Sequence, residues 1–502
     1  MDSQPYLEPM QSSRSIVWAS RRPARRLVLV LLGILFAVSV YSGTSTAQTA
    51  GGEHSQQKSP KSSPAQTEHK ISPQEEQQLF HDVDEIIAFA GKDTGLPVKN
   101  EVKRRLTSRE EVEAYLENNM REDKDAQRLQ RSELVLKKFG LIPRDFNLGT
   151  FLVALLREQV AGYYDPKTKT VNLLDWLGVD QQRPVLAHEL THALQDQSFD
   201  LKRWMEEGDS DLENKKNPTA ADVANDESSE ARQAVVEGQA MAVLIDYILA
   251  PLHQSLRDSP EIVQTLKQQM LSGTSDSPEF KTAPIFLKDE LTFAYGYGLD
   301  FVAEVIRKRG KEQAFSGLLK NPPRTTRQIM EPATYLSGEQ IPPMPLPNFG
   351  QIFKDYERFD IGAMGEFDVL ILIEQYAGRK TAGELSRQWR GGYYYAAKPR
   401  GKSPAPLGLL YLSRWSSAES ASKFASIYAM SLSERYQRVA EVGQSSQEQT
   451  SSRTAGINFR TWTTEDGPVV IQVEGPNVVV TEGLDAALAK QVKGQVFGAD
   501  SK

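Results

Sequence analysis

Cysteine is absent from this sequence. That absence excludes a disulfide framework, a thiolate metal site, a cysteine nucleophile and a lipoprotein anchor; it agrees with export without requiring it. Histidine is scarce, at 6 among 502 residues, and His54, His69 and His81 lie in or near a polar N-terminal stretch. No internal repeat is visible. A basic stripe is also missing, and the net charge is −7, which argues against nucleic acid as a partner.

What is present is the composition of a soluble globular protein, 39% hydrophobic and 25% charged, long enough for two or three domains with a sizeable core. Residues 1–47 read as a secretory leader. Arg14, Arg21, Arg22, Arg25 and Arg26 precede a fourteen-residue apolar run, Leu27–Val40, and Ser45-Thr46-Ala47 offers a small-x-small cleavage site before Gln48. The run is short for a membrane span and suits a signal-peptide core; left uncleaved, residues 27–40 would serve as a membrane tether. The expected location is periplasmic or extracellular. Removing this leader, of net charge +3, takes the mature chain from −7 to −10.

Residues 48–72, rich in Ser, Gln, Gly, Lys and Pro, read as a flexible linker. Helical spacing then runs from Ser72 to Ala90, a short strand is expected at Pro97–Lys103, and Ser108 with Glu111 forms a capping box for a helix reaching Met120. Helices follow near Asp125–Phe139 and Leu148–Gln159, then a hairpin of Val160–Tyr164 and Thr170–Leu174 around an Asp165-Pro166 turn. Its outer edge could pair with an extended peptide. Residues 205–228 read as a charged, mobile connector, and helices are expected at Ser229–Leu249, Ser259–Leu271, Tyr295–Lys308 and Gln313–Leu319. Prolines at 342, 343, 345 and 347 mark a boundary. Beyond it, residues 350–502 alternate helix and strand patterns, with Trp389 and Tyr393–Tyr395 read as core. The expected fold class is α+β. A mainly helical domain with a small sheet spans 73–340, and an α+β domain spans 350–502.

The chemistry concentrates in PVLAHELTHALQDQ, residues 184–197. His188 and His192 stand four apart in an apolar helical stripe, so both imidazoles share a face and can reach one ion. Glu189 follows the first histidine, where its carboxylate can contact water at the ion rather than the ion itself. This is the H-E-x-x-H pattern of two Zn2+ ligands and a general base. A catalytic zinc wants a third protein ligand, and no histidine occurs between Ala193 and Leu201. His253 and the acids Glu206, Glu207, Glu213, Glu227, Glu230 and Glu237 are the candidates. Glu237 is favoured because it sits between Val235-Val236 and Ala240–Val243, where a carboxylate needs a cation or a proton. Glu230 follows a polar helix start and is expected to stay open to water. Gly238 is expected to bring the Glu237 helix close to the histidine helix, and Asp196 to hold the other nitrogen of His192. Tyr295 and Tyr297 are candidate donors to a developing oxyanion.

Two histidines from one helix and a glutamate from a later one resemble the gluzincin branch of the zincin metallopeptidases. The segments AGYYDP, LAHELTHALQDQ, VVEGQA and YGYG…PPRTT…P, within residues 155–340, resemble a group of secreted bacterial zincin-like proteins. The resemblance implies His188, His192 and Glu237 as zinc ligands, Glu189 as base, and zinc-assisted hydrolysis of an amide in a peptide or protein substrate. Gln239 and Met330 depart from the group's pattern, which has an acid and a histidine at those places. A non-catalytic envelope-assembly protein and a hydrolase of peptidoglycan cross-links are the alternative functions. Retention of Glu189 speaks against the first, and the lack of a cell-wall-binding repeat against the second. Exported protein is expected to begin at Gln48 on N-terminal sequencing; a membrane fraction that retains residues 20–47 intact would contradict cleavage.

Overall fold

The computed structural model describes residues 70–120, 123–159, 162–274, 277–401, 405–442 and 459–496. The leader and nearly all of the 48–72 linker lie outside them. Ser72 caps α1 (Pro73–Thr94) through a reciprocal box with Glu75, and Leu79, Val83, Ile86 and Ile87 form its buried stripe. β1 (Lys103–Thr107) begins where the strand expected at Pro97–Lys103 ends, because it is Lys103 onward that finds a partner strand. α2 (Arg109–Met120) opens with the Ser108–Glu111 box. Ser108 N–H donates to Glu111 Oε2 at 3.0 Å, and Glu111 N–H donates to Ser108 Oγ at 3.3 Å. α3 (Asp123–Phe139) and α4 (Leu148–Gln159) lead to the hairpin of β2 (Tyr163–Asp165) and β3 (Thr170–Leu174). Residues 160 and 161 of the expected first strand lie outside the described residues. Asp165 shapes the turn, with Oδ1 accepting Lys167 N–H and Oδ2 the Thr168 hydroxyl. β3 pairs antiparallel with β2 and parallel with β1, so the order β1-β3-β2 gives β2 an outer edge.

Four long helices come next. These are α5 (Val179–Phe199), then α7 (Ser228–Leu249) after the short α6 (Leu201–Glu207), then α8 (Pro260–Thr274) and α9 (Ile285–Arg309). The connector between α6 and α7 is not loose. Leu212 and Val223 are buried, and Ser210 Oγ donates to Asp226 at 2.9 Å, so scattered apolar residues anchor a charged stretch. α9 starts ten residues before the expected Tyr295, because Phe286, Leu287 and Leu291 extend its buried stripe. A single π turn, Gln313–Gly317, follows it. The stretch Ala220–Leu252, which contains α7, is long and apolar enough to cross a membrane by length and composition, yet 72% of its apolar 18-residue window is buried inside the protein. It is the central helix. Gly238 on α7 and Gly298 on α9 face each other so closely that a Cβ on Gly238 would overlap the Gly298 backbone, and one on Gly298 would overlap the Ala234 carbonyl. Gly238 therefore admits α9, not the histidine helix as the sequence suggested.

The rest of the chain builds one antiparallel sheet, in the order β4-β5-β6-β10-β9-β8-β7. Its members in sequence are β4 (Tyr356–Ala363), β5 (Trp389–Pro399), β6 (Gly408–Trp415), β7 (Val439–Glu441), β8 (Phe459–Thr464), β9 (Gly467–Glu474) and β10 (Asn477–Glu482). Helix α10 (Glu366–Leu385) precedes β5, α11 (Ala418–Arg435) follows β6, and α12 (Ala486–Val496) ends the described chain. Side chains alternate across β6. Leu409 and Tyr411 join the core that holds Phe367 of α10 and Phe424 of α11, while Leu410 and Leu412 pack with Leu488 and Val492 of α12 and Phe353. The architecture is α+β, with a small and a large sheet. The larger apolar cluster runs from Ile71 to Val480 and draws on both sheets.

Gly238→Ala is expected to destabilise the protein by about 1–3 kcal/mol through overpacking of α7 on α9, read as a lower midpoint in urea. Wild-type stability would show that the two backbones are not held at this distance.

Candidate metal centre

Helix α5 carries His188 and His192 one turn apart, and α7 passes them with Glu237 aimed between the rings. His188 Nε2 lies 3.2 Å from Glu237 Oε2, His192 Nε2 lies 3.5 Å from the same oxygen, and the two Nε2 atoms are 3.0 Å apart. Atoms bound about 2.0–2.1 Å from one tetrahedral ion stand about 3.3 Å from each other. The three separations bracket that value. All three residues are buried, at 4%, 7% and 3% exposure. Gln233 Nε2 donates to Glu237 Oε1 at 2.7 Å, so the outer oxygen is held while the inner one faces the imidazoles. Two neutral nitrogens and a carboxylate oxygen form a donor set able to hold a divalent ion. A second cluster, His81, Asp82 and Glu85, has two exposed members, and its Asp82 is engaged by Arg183 at 2.8 Å.

The electrostatics express crowding in a dry space. Burial raises the Glu237 carboxyl, but the His192 charge and hydrogen bonds from both imidazoles outweigh it and hold the group down at about 2. Burial also pulls down His192, yet Glu237 and Glu189 more than compensate and raise it to about 9. For His188, burial dominates and the shift is downward. Glu189 is pushed up to about 8, chiefly by burial. Its Oε2 accepts the Tyr164 backbone N–H at 2.8 Å, and its Oε1 is buried with no hydrogen-bond partner among the described residues. A carboxyl held by a strand edge on one side and open on the other, beside the ligand cluster, is placed to exchange a proton.

The other sequence candidates divide. Tyr295 reaches the site: its ring stacks on His188 with centroids 6.1 Å apart, and its hydroxyl hydrogen-bonds with Glu237. Tyr297 does not. Two residues along a helix turn the side chain by about 200°, and Tyr297 packs against Phe293 and Phe367. Asp196 is buried but does not touch His192; it accepts Tyr164 Oη at 2.8 Å and Lys169 Nζ at 2.6 Å, which pins the β2–β3 hairpin to α5. The residue that meets the outer nitrogen of His192 is Gln195, with Oε1 2.9 Å from Nδ1. A neutral amide carries no charge signal in a sequence, so Asp196 drew the assignment. Glu230 is buried rather than open to water, yet stands outside the ligand cluster, and His253 is exposed at the end of a short turn. Arg232, five residues before Glu237, lies over the Trp204 ring and donates to the Trp204 carbonyl. Met330 packs against the main core.

No protein-family model, curated protein or solved structure matches this chain. The site is therefore read on its own geometry. Zinc measured by elemental analysis is expected to fall well below one per chain in Glu237→Ala and to stay near one in Glu230→Ala. Retention in the first variant would move the third ligand elsewhere.

Proposed function

We propose that the protein is an exported zinc-dependent peptidase of the gluzincin type, with a zincin-like arrangement over residues 73–340. The observation that carries this reading is the convergence of His188 Nε2, His192 Nε2 and Glu237 Oε2 within 3.5 Å, with the Glu189 carboxyl alongside. A purely structural ion has no use for a buried base beside its ligands. Zinc held by these three atoms would supply a Lewis acid to polarise a scissile carbonyl.

The chain's own residues supply the rest. Glu189 takes a proton from the attacking water and passes it to the departing amine. Its Oε1, buried beside the cluster with no hydrogen-bond partner among the described residues, is the oxygen that can carry the proton between the two transfers. Tyr164 N–H fixes one Glu189 oxygen, so the base keeps its direction. Tyr295 donates its single hydroxyl proton to Glu237 and stacks on His188, so its phenol, kept protonated by burial and the neighbouring acids, holds the carboxylate ligand in place. β2 is the outer strand of its sheet and lies against α5 through the Tyr164 N–H bond to Glu189, so an extended peptide added along the outer side of β2 would run past the ligands. Substrate main chain, not a charged pocket, then provides the register.

Glu189→Gln keeps the shape and removes the base. Hydrolysis of a mixed peptide library by purified 48–502 is expected to fall by about 10²–10⁴-fold, with zinc remaining near one per chain. Unchanged cleavage would rule the proposed chemistry out.

A further inference from the structure

Gln195 and Gln239 are fully buried polar side chains that no step of the proposed reaction uses. They form a continuous line. His192 Nδ1 is 2.9 Å from Gln195 Oε1, Gln195 Nε2 donates to Gln239 Oε1 at 2.8 Å, and Gln239 Nε2 donates to the carbonyls of Ala314 and Phe315 at 2.7 and 3.1 Å. The second N–H of Gln195 goes to Val236 O at 3.1 Å. Resting on the metal-site reading above, we propose that this amide relay is a positioning device. It fixes His192 as the Nδ1–H form, so that the Nε2 lone pair points at the ion.

The direction of the relay is set at its far end. A backbone carbonyl only accepts, so two carbonyls beside one amide nitrogen settle which end of Gln239 is NH2. Flipping Gln239 would set its oxygen against the Ala314 and Phe315 oxygens and leave donors unmatched in a dry interior, which is costly. With Gln239 oriented, its oxygen must accept, so Gln195 presents Nε2 to it and Oε1 to His192. The imidazole is then compelled to donate from Nδ1. Each amide proton in the line has a carbonyl partner, so no alternative polarity satisfies the set.

This also accounts for the amide at 239. A carboxylate there could accept from Gln195 but could not donate to the Ala314 and Phe315 carbonyls, and it would bury a second negative charge two residues from Glu237. The carbonyls come from the π turn Gln313–Gly317, whose altered hydrogen-bond register turns them toward α7. A local irregularity beyond the end of α9 thus reaches His192 through two side chains. The device is asymmetric, since His188 Nδ1 is buried with no hydrogen-bond partner among the described residues.

The test compares wild type with Gln195→Met, Gln239→Met, the double variant and Asp196→Asn, reading Zn2+ affinity by competition with a chromogenic chelator and metal-free thermal stability alongside. Each single Met variant is expected to weaken zinc binding by about 10–100-fold. Because the two amides act in series, the double variant should lose no more than the worse single one. Asp196→Asn should bind zinc as wild type does, because the partners of its side chain are Tyr164, Lys169 and the Leu201 N–H, none of which touches the His192 ring. The tautomer itself is readable without mutation: long-range 15N–1H spectra of the zinc-loaded protein should show His192 protonated at Nδ1. Wild-type affinity in both Met variants, additive losses in the double variant, or an Nε2–H signal for His192 would each overturn the relay. A wild-type protein that binds no zinc overturns the metal-site reading as well, so the two failures are distinguishable. If the Met variants fail to fold, the wild-type spectrum still decides.

Discussion

A carboxylate in a nearly dry, apolar helix is unstable unless something positive or protic meets it, and Glu237 is in that position at 3% exposure. Val235, Val236, Ala240, Met241, Ala242 and Val243 around it are all buried. Both oxygens are engaged, one by Gln233 and the other by the two imidazoles. This demand couples α7 to α5 and α9, because the two imidazoles and the Tyr295 phenol are the groups that meet Glu237 from those helices. The Gly238–Gly298 contact then sets the depth at which α9 lies, and with it the position of Tyr295 beside His188. Three helices meet at the site because one buried charge needs them there.

The hairpin is held by the same helix. Tyr164 N–H reaches Glu189, Tyr164 Oη reaches Asp196, and Lys169 Nζ reaches Asp196 from the far side of the turn. β2 is only three residues long, and a strand that short has little pairing energy of its own. Its place depends on side chains of α5, so the base and the strand edge form one unit. Any displacement of the hairpin would also release Glu189 Oε2.

The site was legible in the sequence where chemistry imposes a spacing. The interval of four between His188 and His192, the acid next to the first, and an isolated acid in the apolar run around 237 each encode a geometric demand. The local cap at Ser108–Glu111 was equally legible, because its two partners lie three residues apart. What escaped were choices made by tertiary neighbours. Tyr295 and Tyr297 differ only in which way α9 is rotated. Glu230 reads as solvent-facing from its polar flanks, yet it is covered. In β4 the charged residues Glu357, Arg358 and Asp360 dilute the apolar alternation, and the partners that hold them are distant in sequence: Arg358 reaches the carbonyls of Glu213 and Lys215, and Asp360 accepts the Tyr394 hydroxyl at 2.8 Å. The amide pair Gln195–Gln239 has no local signature, since its meaning arises only when α5, α7 and the π turn come together.

The large sheet bears on the site without lending it a ligand. At the start of α7, Asp226 Oδ2 accepts Ala363 N–H at 3.1 Å and Glu227 Oε1 accepts the Thr326 hydroxyl at 2.8 Å. Thr326 Oγ1 in turn accepts Phe367 N–H at 3.3 Å, and Arg327 pairs with Glu366 at 2.8 Å. Gly365 has no room for a side chain, because Glu227 fills the space a Cβ would need. The segment that carries Thr326 and Arg327 is therefore the joint between α7 and α10. On another side, Arg435 of α11 pairs with Glu482 of β10 at 2.7 Å and donates to the Lys138 carbonyl of α3, burying a charge cluster against the helical part. Glu237 lies ten residues beyond Glu227, about 15 Å along a continuous helix. A helix held so firmly at its start by the sheet transmits that placement to its middle. The C-terminal part thereby bears on the His188–His192–Glu237 cluster through the placement of α7, with Asp226 and Glu227 among the side chains that fix it.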